Sequence, residues 1–161
     1  MRPRSWEIDV ALYHAAAGLL ANGSAALAAL SMNLLRAAGA PPNETARALG
    51  PLLRSVGDNV ERLGMPAALS GPVRRGDVET VERHLAAIAR VSEEALDVYR
   101  AIGVAQVALS RALGEASPRD LERLSRLFAR SSRTLTSAPA GGARGPLKTA
   151  EGPPTKTKAR A

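Results

Sequence analysis

Residues 10–35 read VALYHAAAGLLANGSAALAALSMNLL, 26 consecutive positions without Asp, Glu, Lys or Arg. Alanine and leucine dominate, so a membrane span or a secretion signal has to be weighed against a packed helix. The polar residues decide for the packed helix. His14, Asn22, Ser24, Ser31 and Asn33 interrupt the stretch, and its longest apolar runs, Ala15–Ala21 and Ala25–Leu30, fall far short of the roughly 18 residues a span needs. Glu7 and Asp9 also remove the basic start of a signal peptide. A cytoplasmic protein without a membrane segment is expected. Tyr13, Ala16, Leu20, Gly23, Leu27, Leu30, Leu34 and Ala37 fall at alternating steps of three and four, which makes one continuous helical stripe. Asp9 can cap the start, and Gly39 with Pro41 and Pro42 stops the helix. Its remaining faces are alanine-rich, so the helix is expected to be buried nearly all round, at the centre of a domain or of a dimer.

Downstream, Asn43 is the expected cap of a second helix that runs to Gly64, with Leu49, Leu52, Leu53, Val56 and Val60 inward and a kink at Gly50-Pro51. Met65 to Asp77 contains Pro66, Gly71, Pro72 and Gly76 and reads as a loop. Asp77 caps a third helix with Val78, Val81, Leu85 and Ile88 on its apolar side, and Ser92 caps a fourth that extends to Leu113. Ser117, with Pro118 in the first turn, opens a fifth carrying Leu121, Leu124, Leu127 and Phe128. No stretch alternates as a strand does, so the expected fold is all-α: a helical bundle around one long central helix. The expected organisation is a short N-terminal linker over 1–9, an all-helical domain over 10–136 and a disordered basic tail over 137–161.

Composition narrows the function classes. The chain has 161 residues, no cysteine and two histidines, which excludes thiolate catalysis and disulfides and argues against a zinc site. Aromatics are 2% of the chain, so the core must be built from alanine and leucine. The net charge of +7 is concentrated at one end. Residues 1–114 hold 12 Arg against 11 Asp and Glu, whereas residues 115–161 hold 10 Lys and Arg against four acids. A nearly neutral body offers no broad surface to a phosphate backbone, and the basic end lacks interleaved aromatics that would stack bases. No nucleic-acid partner is expected.

Two polar groupings stand out. His14, Gly18 and Asn22 lie at steps of four on one flank of the long helix, with a glycine notch between two polar side chains. Thr80 and His84 are also four apart, one turn inside the third helix and beside Arg74 and Arg75. The first grouping could be a small-molecule notch with His14 exchanging a proton and Asn22 orienting the substrate, or a pair satisfied by a neighbouring helix. The second could hold a carboxylate or phosphate at a helix N-terminus, or be a solvated flank behind a turn. Gly71 and Gly76 have phosphate-loop spacing, but Asp77 stands where the lysine would be. Arg75-Gly76-Asp77 spells an adhesion tripeptide, yet Asp77 is needed as a helix cap.

Tyr13-His14-Ala15-Ala16-Ala17 with Asn22, followed by Gly71-Pro72-x-x-Arg75-Gly76-Asp77-x-x-Thr80-x-x-x-His84-Leu85, resembles the bacterial domain-of-unknown-function 2520 family over about Ala11 to Leu113. The resemblance implies the helical partner of a Rossmann-like NAD(P) domain, with a fold similar to the C-terminal domains of 6-phosphogluconate, hydroxy-acid and ketopantoate dehydrogenases. It also implies homodimerisation through the long helix and a Rossmann-like domain in cis or trans, because the match begins near Met1. On that analogy His14, Asn22 and His84 are the expected catalytic residues, and Arg75 and Thr80 the expected anchors for a small carbonyl acid. NAD or NADP is the expected cofactor of the full-length family, with none bound by this chain alone. A rival of another class is a non-enzymatic helical interaction module whose basic tail contacts acidic partners or nucleic acid.

Overall fold

The computed structural model describes residues 8–129, which form five helices and no strand. The expected all-α class holds. Helix α1 spans Val10–Ala37, α2 Thr45–Leu63, α3 Val78–Ala89, α4 Glu93–Leu113 and α5 Pro118–Ala129. The tail over 137–161 and nearly all of the linker over 1–9 lie outside the described residues.

Local chemistry explains most of the boundaries. Asp9 accepts from the Leu12 amide at 3.0 Å, Asp77 from Thr80 at 3.0 Å, Ser92 from Ala95 at 3.1 Å and Ser117 from Asp120 at 3.1 Å. Each satisfies one of the amides that a helix N-terminus leaves without a partner. The second helix departs from expectation. It begins at Thr45, and Glu44 takes the cap position without a side-chain cap bond. Pro41 and Pro42 impose a turn there: the Glu44 amide donates to Pro41, the Thr45 hydroxyl donates to Pro42, and the Asn43 amide is drawn to the Glu44 carboxylate. The helix continues through Pro51 without a break.

The hydrophobic core belongs to α3, α4 and α5. Val78, Val81, Leu85 and Ile88 of α3 face Ala95, Leu96 and Val107 of α4 and Leu121, Leu124 and Phe128 of α5, with Val73 closing one end. These apolar faces are those the spacing predicts. The connecting loop is tied to the same body. Ser110, fully buried in α4, directs its hydroxyl to the carbonyls of Val73 and Arg74, at 3.0 and 3.2 Å. Arg74 makes a forked pair with Glu115 at 2.7 and 2.8 Å and donates to the carbonyls of Ala67 and Leu69.

The long helix is not at the centre of this domain. No residue of α1 is buried, whereas a central helix would lose most of its surface to neighbours. Its principal partner is α2, and only Leu30 and Leu34 of its stripe pack on the core of α3–α5. Toward the other end Tyr13 and Leu20 are 60% and 73% exposed. Leu52, Leu53, Val56 and Val60 of α2, expected to point inward, are also exposed. The reason is numerical: three helices already close a core around Leu124 and Val81, leaving α1 and α2 to cover mainly each other. By length and hydropathy α1 is long and apolar enough to cross a bilayer, with a mean hydropathy of 1.4 over its best window, while Leu30 and Leu34 near its C-terminal end pack against the core of α3–α5.

Candidate functional site

The α1–α2 arm encloses an apolar cleft of about 500 Å³. Leu27, Met32, Leu49, Leu53 and Val56 form its walls, and Ser24, Ser31 and Gln106 of α4 supply its polar atoms. A cleft of this size is within the range of small-molecule sites, and its scarcity of polar groups suits an apolar occupant. None of the sequence-predicted site residues lines it.

His14, Gly18 and Asn22 follow one another along a flank of α1, as their spacing requires. His14 and Asn22 are exposed, and the His14 ring meets only Tyr13, edge-on at 5.6 Å between centroids. The notch is therefore an open surface in the single subunit. A Cβ on Gly18 would meet the Asn22 amide at an ordinary 4.0 Å, so packing does not demand glycine there.

The second grouping is more constrained. The Asp77 carboxylate takes the α3 amide that an incoming anion would have used, and Arg75 is exposed and makes no hydrogen bond with any described residue. Hydrogen bonds from Thr80 hold the Asp77 carboxyl below its usual range, with smaller help from Arg75 and Arg83. The Thr80 hydroxyl accepts from Arg83 at 2.8 Å. His84 Nδ1 lies 2.9 Å from the Tyr99 hydroxyl, and the rings are edge-on at 6.1 Å. Burial pushes the Tyr99 phenol above its usual pKa, so it remains protonated at neutral pH and can hold one imidazole tautomer in place. A His–Tyr pair of this kind can pass a proton between solvent and a bound oxygen or nitrogen.

Arg75, Thr80 and His84 thus share the N-terminal half of α3 and the turn ahead of it, while His14 and Asn22 sit on the arm. Among the described residues no hydrogen bond, ion pair or ring contact joins the two sets. His14 precedes Leu30, where the stripe of α1 meets the core, by 16 residues, which is about 24 Å of helix. Two participants were not legible beforehand. Tyr99 could have been noticed as one of only two tyrosines, and Arg74, rather than its neighbour Arg75, makes the structural contacts. Among the described residues no three His, Cys, Asp or Glu side chains gather where a metal ion could be held.

The model of a family described as a domain of unknown function, DUF2520, matches residues 7–106. No curated protein and no solved structure matches the chain.

Proposed function

This chain belongs to the DUF2520 family, and from that membership we propose that it is the substrate-binding and dimerisation domain of an NAD(P)-dependent oxidoreductase-like protein acting on a small carbonyl acid. The observation that carries the reading is the α1–α2 arm: a 28-residue helix with no buried residue, apolar along its stripe, presenting His14 and Asn22 on an adjacent flank. An arm of that kind is suited to a second copy of the chain. Pairing would cover the exposed Tyr13, Leu20, Leu52 and Leu53 and bring the His14 flank of one protomer toward the body of its partner.

The described residues do not fit a dinucleotide. They include no strand, hence no glycine-rich turn between strand and helix, and Asp77 stands where the spacing of Gly71 and Gly76 would put a phosphate-binding lysine, its carboxylate occupying the Thr80 amide. A Rossmann-like domain in cis or trans is the proposed carrier, and the choice between NAD and NADP is made there. The roles proposed for this chain are those of its own side chains. Arg75 is free to swing onto a carboxylate, with Thr80 beside it. His84, hydrogen-bonded to Tyr99, and His14, with Asn22 to orient the substrate, are the candidate proton carriers.

The test combines the full chain with a Rossmann-like domain of the same family and follows oxidation of NADH and NADPH with a series of 2-oxo acids. Turnover that falls at least tenfold in His14→Ala and in Arg75→Ala, with helicity unchanged, supports the reading. Absence of turnover with every acid, or turnover unaffected by both substitutions, favours the rival of a non-enzymatic interaction module, for which the same exposed arm is the docking surface.

A further inference from the structure

Tyr99 of α4 packs between one buried ring and one exposed ring. On the buried side it meets Phe128 of α5, tilted at 6.2 Å between centroids, and Phe128 is 4% exposed and part of the core. On the other side it meets the exposed His84 of α3 edge-on, with its hydroxyl 2.9 Å from Nδ1. Packing therefore anchors the phenol, and the phenol anchors the imidazole. Neither side chain has another hydrogen-bond partner among the described residues.

The direction of this hydrogen bond follows from the chemistry of the two groups. A phenol shares an oxygen lone pair with its ring, which makes it a good donor and a poor acceptor, whereas the bare nitrogen of a neutral imidazole accepts strongly. Burial keeps the Tyr99 phenol protonated at neutral pH, so the donor is always present. With Nδ1 accepting, the proton of the neutral ring has to sit on Nε2. The neighbouring groups agree in sign. The Thr80 hydroxyl accepts from Arg83 and donates to the Asp77 carboxylate, so its capacity is already committed. Of the three site residues proposed at this end of α3, that leaves the Arg75 guanidinium, which can only donate, and His84 Nε2. Such a set fits a ligand that offers oxygen lone pairs, a carboxylate or a carbonyl.

We propose that Tyr99 is a positioning residue: its hydroxyl donates to Nδ1 and so makes His84 present an Nε2–H group to an acceptor oxygen of the ligand. The use of that group rests on the oxidoreductase reading, in which His84 would polarise the carbonyl oxygen as a neutral donor and leave the carrying of the proton to His14; the tautomer itself does not. The full chain labelled with isotopic histidine has two imidazoles, and His14→Gln assigns them. In a long-range proton–nitrogen correlation spectrum, at a pH where both rings are neutral, His84 is expected as the Nε2–H tautomer, with its Nδ1 resonance displaced from the bare-nitrogen position by the bond it accepts. Tyr99→Phe, which keeps the ring and its packing, should return that resonance to the bare position with helicity unchanged. Pyruvate should move the His84 Nε2 resonance saturably, and ethylamine at the same concentrations should not. In the turnover assay described above, Tyr99→Phe should lower kcat in the parent and add no further loss to His84→Ala, because it acts through that ring. An Nδ1–H tautomer in the parent, an Nδ1 resonance indifferent to Tyr99→Phe, an Nε2 resonance that pyruvate does not move, or a full additional loss in the double variant would each overturn the proposal. Absence of turnover beside the expected spectra would instead remove the oxidoreductase reading and leave the positioning by Tyr99 standing.

Discussion

Phe128 lies directly over Gly103, so close that a Cβ at position 103 would collide with three atoms of the ring. The contact joins the longest pairing in the body, α4 against α5, at its one phenylalanine. Gly103→Ala gains about 0.8–1 kcal/mol of helix propensity but must displace a ring 4% exposed and held on its other side by Tyr99. Overpacking of this sort costs about 1–3 kcal/mol, so a net loss of about 0–2 kcal/mol is expected in urea denaturation. Phe128→Leu in the same chain should recover part of it. A Gly103→Ala protein more stable than the parent would show that the helices part without cost.

Ser110 and Arg74 hold the loop between α2 and α3 onto α4, and their loss should be felt differently. Ser110→Ala removes a buried hydroxyl from two carbonyls and is expected to cost about 1–3 kcal/mol. Arg74→Lys cannot reproduce a forked pair plus two carbonyl contacts and should lower the melting temperature and expose the loop to proteolysis between Ala67 and Arg75. Arg74 also holds the Glu115 carboxyl below its usual range. The resulting stabilisation is present above the ordinary glutamate pKa and is lost as pH falls through the depressed value. Arg74→Ala should therefore flatten the acid limb of stability against pH, and an unchanged limb would contradict the pairing.

Tyr99 gives the opposite pH dependence. Burial favours its neutral phenol, so its contribution is complete below the ordinary tyrosine pKa and is lost as pH rises through the elevated one. In a Tyr13→Phe background, absorbance should report one phenol ionising above the free tyrosine range. The upward shift should survive His84→Ala, since burial and not the histidine causes it. Ionisation at or below the free value would mean that α3 and α5 do not bury this ring.

If two copies pair through their arms, light scattering will give a dimer and Leu20→Glu will give a monomer with the same far-ultraviolet dichroism. Leu20 is 73% exposed in the single subunit, so the substitution spares the fold of each protomer. A monomer before the substitution, throughout the micromolar range, removes the dimer from the proposed function.

The contrast between what was legible and what was not follows physical range. Asp9, Asp77, Ser92 and Ser117 each act on an amide three residues away, and the apolar faces of α3 and α5 repeat within a turn, so caps and core faces could be read directly. Asn43 misled because two adjacent prolines created a turn ahead of the helix and moved the cap to Glu44. The stripe on α1 announced that a surface would be covered without naming its cover. Likewise, the His84–Tyr99 pair depends on how α3 and α4 align across 15 residues, which no local spacing encodes. Arg74 and Arg75 are chemically identical neighbours, and only the direction taken by the loop separates a clamp from a free cation.

The division between arm and body also sets the order of folding. The core side chains all fall between Val73 and Phe128, and their helices are joined by turns of three and four residues, so the body closes through contacts near in sequence. It should collapse as one fast cooperative unit. Helices α1 and α2 bury too little to share that cooperativity, and their amides will exchange with deuterium well before those of α4, earliest of all in the first turns of α1. If two copies pair through their arms, full protection of the arm becomes a concentration-dependent step, and a newly made chain would pass through a state in which its body is complete and its longest helix still awaits a neighbour.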